Sequence, residues 1–202
     1  MRYLSLLILF TLISCGEKNV LLPKSNVTIV EKVEDLSPVY FFFKMEGKDT
    51  LVEINKKNMI GTTNWIFNID KRLPLRLVIP EIMKLQTKRE NGMHDNPLAQ
   101  NYYSYADSIG KNLAFLPFTK VKYTMLKPKS SIVFVAKNGQ FKIDNRFVNE
   151  SELREYLKNN SNVVFGFDKN MNYGSYIQFK ILITDLKNKS EILQFSDIEY
   201  CF

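Results

Sequence analysis

The clearest hydrophobic patterning lies in the last third of the chain. Residues 132–136 form a short apolar, β-branched run, Asn138-Gly139 is a hairpin signal, and residues 140–148 alternate through Phe141, Ile143 and Phe147. An Asn-Gly pair suits a two-residue turn because both central positions need positive φ, so this stretch reads as strand, turn, strand. Asn149 with Glu152 three residues later is a capping box, in which each side chain bonds the other residue's backbone amide. It predicts a helix with Leu153, Tyr156 and Leu157 on one face, ending at Lys158-Asn159-Asn160. Residues 163–167 predict a third strand, followed by Asp168-Lys169-Asn170. Asn172 caps a second helix, with Tyr173, Ile177 and Ile181 at four-residue spacing and Tyr176, Phe179, Ile183 and Leu186 beside them. Residues 191–202 close as a strand on Ile192, Phe195, Ile198 and Tyr200. The order β-β-α-β-α-β predicts an α+β fold, a two-layer sandwich with helices on one face of a small mixed sheet.

The first half repeats that order in a weaker form. Asn64-Trp65-Ile66-Phe67-Asn68-Ile69-Asp70-Lys71 lies 98 positions before Asn162-Val163-Val164-Phe165-Gly166-Phe167-Asp168-Lys169, and four of the eight residues are identical. Pro74, at the offset of Asn172, opens a helix through Leu77, Ile82 and Leu85, with Pro80 near its start. Residues 39–43 and 51–54 flank Glu46-Gly47-Lys48 as a hairpin, and residues 56–63 replace the first helix with a loop. Residues 119–126 are expected to close this sheet. Before them, residues 90–118 are expected to hold a helical insertion that starts at Asn96-Pro97, aligns Leu98, Tyr102, Tyr105 and Ile109, and ends at Gly110. The expected layout is a leader over 1–14, a tether over 15–36, a degenerate α+β domain over 37–126 and a second over 130–202, as tandem copies. The competing reading is an unrelated small α/β domain that shares one strand–turn pattern.

The pattern over 131–202 resembles the periplasmic domain of the ExbD/TolR family. There a strand, an Asn-Gly or Asp-Gly turn and a second strand lead into a helix, and a strand ending in Asp with a basic residue precedes a long helix. The matching stretches here are Val133-Phe134-Val135 with Asn138-Gly139, then residues 152–157, 163–168 and 173–186. The resemblance implies a binding or scaffolding role in the cell envelope beside a TonB- or Tol-type transport system. It also implies domains that pair through sheet edges by backbone hydrogen bonds. Two copies in one chain would mimic that pairing. The family's proton-using step is not implied, because it needs an acidic residue on a membrane-crossing helix, and residues 3–13 contain no Asp or Glu.

Met1-Arg2 followed by an apolar run over 4–13 has the form of a secretory leader, too short for a stable membrane span. Its end, Leu12-Ile13-Ser14-Cys15, resembles the bacterial lipobox, which implies that Cys15 becomes the lipidated N-terminus of the mature chain. Acyl chains there would hold the protein to a membrane at ~0.8 kcal/mol per buried CH₂. The other reading is an ordinary cleaved leader, or a short anchor, with an incidental cysteine. Gly16-Glu17-Lys18 lacks the aspartate associated with inner-membrane retention, which favours the periplasmic face of the outer membrane.

Charge and chemistry narrow the picture further. A net charge of +7 suits a neighbour of anionic phospholipid, lipopolysaccharide or cell-wall polymer, and also suits plain solubility, since the basic residues are interspersed with acidic ones. Nucleic acid is not an expected partner of an exported protein. With Cys15 acylated, only Cys201 would remain, leaving no intramolecular disulfide and no cysteine metal cage. The one histidine, His94, removes most zinc-site patterns, and no cofactor is expected. The chain has no Gly-x-Ser-x-Gly elbow, no phosphate-cradling glycine loop and no His-Glu-x-x-His, so no enzyme is expected. The candidate binding residues are His94, in a Gly- and Asn-rich loop, with Tyr102 and Tyr105 of Tyr102-Tyr103-Ser104-Tyr105. If they shared a cleft they would make the alternative, a glycan- or small-ligand-binding lipoprotein or enzyme.

Overall fold

The computed structural model describes residues 18–92, 96–129, 132–189 and 193–202, and its elements follow the local signals closely in the second half. In chain order they are β1 (Lys24–Ser25), β2 (Leu36–Glu46), β3 (Asp49–Asn55), β4 (Asn64–Ile69), α1 (Leu75–Glu90), β5 (Asn101–Asp107), β6 (Leu113–Pro117) and β7 (Lys122–Thr124). Then come β8 (Val133–Val135), β9 (Phe141–Ile143), β10 (Arg146–Val148), α2 (Glu150–Asn159), β11 (Val163–Phe167), α3 (Tyr173–Asn188) and β12 (Phe195–Cys201). The class is α+β, with two mixed sheets.

The first sheet runs β3-β2-β4-β5, with β6 antiparallel on the far side of β5 and the short β1 parallel to its C-terminal end. The second runs β10-β9-β8-β11-β12-β7. In each half a hairpin leads into a parallel trio, β2, β4 and β5 in one and β8, β11 and β12 in the other. The registers agree as well. Phe67 stands between Val39 and Tyr103, and Phe165, 98 positions later, stands between Val133 and Glu199.

Local chemistry accounts for the turns. Gly47 (φ 61°) and Gly139 (φ 81°) supply the left-handed positions of the two hairpins. Asp144 (φ 46°) and Asn145 (φ 67°) supply a further turn that splits the run 140–148 into β9 and β10. The capping box forms as expected, with the Glu152 amide donating to Asn149 Oδ1 at 2.9 Å and the Asn149 amide to Glu152 Oε2 at 2.8 Å.

Three expectations for the first half are corrected. The stretch holding Leu98, Tyr102, Tyr105 and Ile109 is not a helix; Asn96-Pro97 opens a turn, and β5 follows. Aromatic residues favour a strand that is covered on both faces, and Tyr103 and Tyr105 are buried on one face while Ser104 is buried on the other. The closing strand of the first sheet is therefore β5, and β7, within the expected closing run 119–126, crosses to pair with β12 in the second sheet. The expected tether is also packed over its described part. The Ala106 amide donates to the Pro23 carbonyl (2.8 Å), Ser108 to Ser25 (2.8 Å), and Val30 and Phe115 exchange backbone bonds of 3.1 and 2.9 Å. Residues 27–33, whose weak alternation suggests an extra strand, make a single bridge at Val30 and no full strand.

The core is shared between the halves. One continuous buried cluster joins Val39, Phe67 and Tyr103 to Phe165, Tyr176 and Ile177. α1 packs against β3 of its own sheet and against β7 and β12 of the other. α3 places Phe179 on Phe165 and Phe167 of the second sheet, and Tyr173 and Tyr176 on Tyr103 of the first. A helix wedged between two sheets must be apolar on several sides, and α3 buries Tyr173, Tyr176, Ile177, Phe179, Ile181 and Ile183. A shared core should melt as one. Urea unfolding followed by the fluorescence of Trp65, in the first half, should coincide with unfolding followed by far-UV circular dichroism, which reports both halves. Phe67→Ala should lower both midpoints together, costing about 3–5 kcal/mol.

Candidate functional site

The seam between the two halves gathers the structure's unusual chemistry, starting with the helix entrances. The first amides of a helix have no partner within it and must find one outside. At the start of α1 the Leu75 amide donates to the Met171 carbonyl (2.9 Å) and the Arg76 amide to the Lys169 carbonyl (2.7 Å). At the start of α3 the Tyr173 amide donates to the Leu73 carbonyl (2.8 Å) and the Gly174 amide to the Lys71 carbonyl (3.0 Å). Each bond has its twin 98 positions away, so the two strand–helix turns clasp each other about a local two-fold centred on the Pro74–Asn172 bridge. The turns approach closely. A β-carbon on Gly174 would lie 3.1 Å from that of Lys71. Asn172 Oδ1 takes the next amide of α3, from Ser175, at 2.9 Å, whereas Pro74 caps α1 without a side-chain bond.

Asp70 braces the first turn. Its fully buried carboxylate accepts from Arg72 Nε (2.8 Å) and a terminal guanidinium nitrogen of Arg72 (2.7 Å), and from the amides of Arg72 (3.0 Å) and Leu21 (3.1 Å). The Arg72 guanidinium lies 4.2 Å from the centre of the Phe43 ring. Burial works against the charged carboxylate, but the Arg72 bonds and the two amides outweigh it and hold the group below its ordinary value of 3.8.

A chain of buried phenols crosses the seam. Tyr103 on β5 meets Tyr123 on β7 (2.6 Å), Tyr123 meets Tyr176 on α3 (3.1 Å), and Tyr176 donates to Glu199 Oε2 on β12 (2.8 Å). Each phenol has one proton, so the direction is set from the Glu199 end, with Tyr103 donating to Tyr123 and Tyr123 to Tyr176. Burial, with Glu199 and neighbouring phenols adding to it, pushes these tyrosines well above their ordinary value. They therefore serve as neutral hydroxyls. Glu199 is 2% exposed, and Lys180 of α3 pairs with its other oxygen. Among the described residues the buried Tyr173 hydroxyl has no hydrogen-bond partner.

Beside this chain a cleft of about 580 Å³ opens between the loops around Ala99 and Thr119 and the C-terminal half of α3 with the start of β12. Phe165, Ile183 and Phe195 contribute apolar wall, and Lys120, Lys180, Lys187 and Asp197 contribute charge.

Of the residues singled out from the sequence, Tyr102 and Tyr105 do not line this cleft. Cys15 and His94 lie outside the described residues. Tyr102 and Tyr105, three apart on β5, point to opposite faces. Tyr102 sits half-buried on the outer face, edge-on to Phe115. Tyr105 is buried on the inner face, where its hydroxyl accepts from the Ile29 amide (2.9 Å) and donates to the Val27 carbonyl (3.0 Å), fastening the N-terminal segment. Cys201 is buried too, and burial pushes its thiol up to about 12. Among the described residues no group of three His, Cys, Asp or Glu could hold a metal ion. Sequence reasoning missed Glu199, Lys180 and Tyr123. No protein-family model matches the chain, and no curated protein or solved structure matches it.

Two tests follow from this geometry. Lys180→Met strands the buried Glu199 carboxylate and should cost about 3–5 kcal/mol, read by urea unfolding, with Lys180→Met/Glu199→Gln recovering a large part of the loss. For Asp70, a folded-state value below the ordinary one means that its stabilisation is complete above the ordinary value and is lost as pH falls through the folded one. The stability difference between wild type and Asp70→Asn should stay constant above about pH 5 and shrink progressively below it.

Proposed function

We propose that this protein is a lipid-anchored scaffold of the cell envelope, built as two fused copies of an ExbD/TolR-like domain and working through its sheet edges. The reciprocal clasp of the two strand–helix turns is the observation that carries the reading, because four bonds related by a constant offset of 98 are what a fused symmetric dimer would leave behind. The common strand order and the matched registers of Phe67 and Phe165 support it. On this reading Cys15 is the acylated residue, and the periplasmic face of the outer membrane is the favoured site. Among the described residues no helix is long and apolar enough to cross a membrane. The scaffold does not conduct protons itself.

The partners are envelope proteins, including components of a TonB- or Tol-type transport system, or cell-wall polymer. β3 and β10 end the two sheets on their hairpin sides, and pairing would run through them, since an outer strand offers backbone groups to an added one. β3 is the longer, with Leu51 exposed and Glu53 paired to Lys18.

Two measurements test the proposal. Labelled palmitate should enter the wild-type chain and fail to enter Cys15→Ser. Affinity capture from detergent-solubilised envelopes should recover energy-coupling or receptor proteins, and Val52→Pro on β3 should abolish that recovery, because the Val52 amide faces away from β2 and proline removes this outward donor. Absence of acylation, or capture of none of these proteins, overturns the reading.

A further inference from the structure

The cleft at the seam sets the exposed Lys120 and Lys187 beside the apolar side chains of Phe165, Ile183 and Phe195. We propose that it binds a small anionic amphiphile, a carboxylate or phosphate head carried on an apolar tail.

Size is the first argument. A volume of about 580 Å³ falls within the range of pockets that enclose small ligands. Position is the second. The cleft lies between segments from both halves, with the loops around Ala99 and Thr119 facing α3 and β12, and such junctions are common ligand sites. The lining is the third. Phe165 and Phe195 pack edge-to-face at 5.4 Å, and with Ile183 they form an apolar wall suited to a hydrocarbon tail.

Charge decides the sign of the head group. Lys180 is already neutralised by Glu199, so it adds little field of its own. Lys120 and Lys187 are exposed and, among the described residues, form no ion pair, and Asp197 is the acidic residue lining the cleft. The balance at the cleft is therefore positive, on flexible ammonium groups whose alkyl stems can lie along the apolar wall while their tips reach a head group. An anion gains from both tips, and a cationic amphiphile of the same length would have only Asp197 to meet it. This inference does not depend on the acylation of Cys15 or on the identity of any envelope partner.

The test uses the full chain with dodecanoate and dodecyl phosphate, each below its micelle-forming concentration, and dodecyltrimethylammonium as the cationic control. Binding is read by calorimetry and by shifts of backbone amide resonances over 118–121 and 183–188. Both anions should bind and move those resonances, and the cation should not. Tighter binding of dodecyl phosphate assigns a phosphorylated ligand, and tighter binding of dodecanoate a fatty acid. Lys120→Glu/Lys187→Glu, two exposed positions, should weaken the anions by about tenfold or more. Thr184→Trp, which fills the cleft, should block binding with the circular dichroism spectrum unchanged. Binding of neither anion, equal binding of the cation, or full affinity in the charge-reversed variant overturns the proposal.

Discussion

The first two amides of α1 and of α3 are the groups on which the arrangement turns. Leu75 and Tyr173 are fully buried, so their N–H groups could not be left to water, and burying such a donor without a partner costs about 1–3 kcal/mol. The chain solves the problem twice with the same device, each helix start being capped by carbonyls of the opposite turn. Because the donors are main chain, the solution binds the two halves whatever their side chains do. Once the helix starts are locked together, their apolar faces lie between the two sheets and a single core follows.

Bringing two helix N-termini together also brings two positive dipole ends together, which is unfavourable unless negative groups stand near. Each turn begins with an aspartate. Asp70 has its charge fixed by Arg72 and two amides, and Asp168 accepts from the amide of Asn170 at 2.8 Å. Deeper in the seam the symmetry breaks. Tyr103 and Glu199 occupy the same register, opposite Phe67 and Phe165, yet one is a phenol and the other a carboxylate. The hydrogen-bond chain from one to the other polarises the seam from the first sheet towards the second, and Lys180 answers the charge at its end. The cleft opens next to that asymmetric end, with Lys180 in its wall.

Legibility in the sequence followed the range of the forces involved. The Asn149–Glu152 box and the cap at Asn172 act over a few residues and form in the structure as read, and Asn138-Gly139 does make a hairpin, but as a three-residue turn over 137–139 in which only Gly139 takes a positive φ. The stretch containing Tyr102 and Tyr105 failed because its apolar spacing satisfies a helix and a doubly covered strand alike, and only the neighbours β4 and β6 decide between them. β7 was placed in the wrong sheet because its partner β12 comes more than seventy residues later. The segment before β2 was read as a tether from Pro23, Ser25, Asn26 and the lack of a sustained period, but backbone bonds to β5 and the Tyr105 hydroxyl hold it, and these leave no mark on the hydrophobic pattern. The clasp is main-chain as well; its trace in the sequence was the repeated octapeptide ending in Asp-Lys. Glu199 was not singled out among the residues of the last strand, and the signal that would have exposed it, Lys180 on the inner face of a helix, was masked by the apolar residues around it.

The picture is of two halves joined through their backbones, with a polar chain and a cleft along the join. Native-state hydrogen exchange at Leu75, Arg76, Tyr173 and Gly174 tests that join most directly, since these positions have no partner within their own helices. All four amides should be protected to the same free energy and should open together in the global unfolding event. Rapid exchange of Leu75 and Arg76 while the interior amides of both helices stay protected would show that the turns do not hold each other, and would contradict the account.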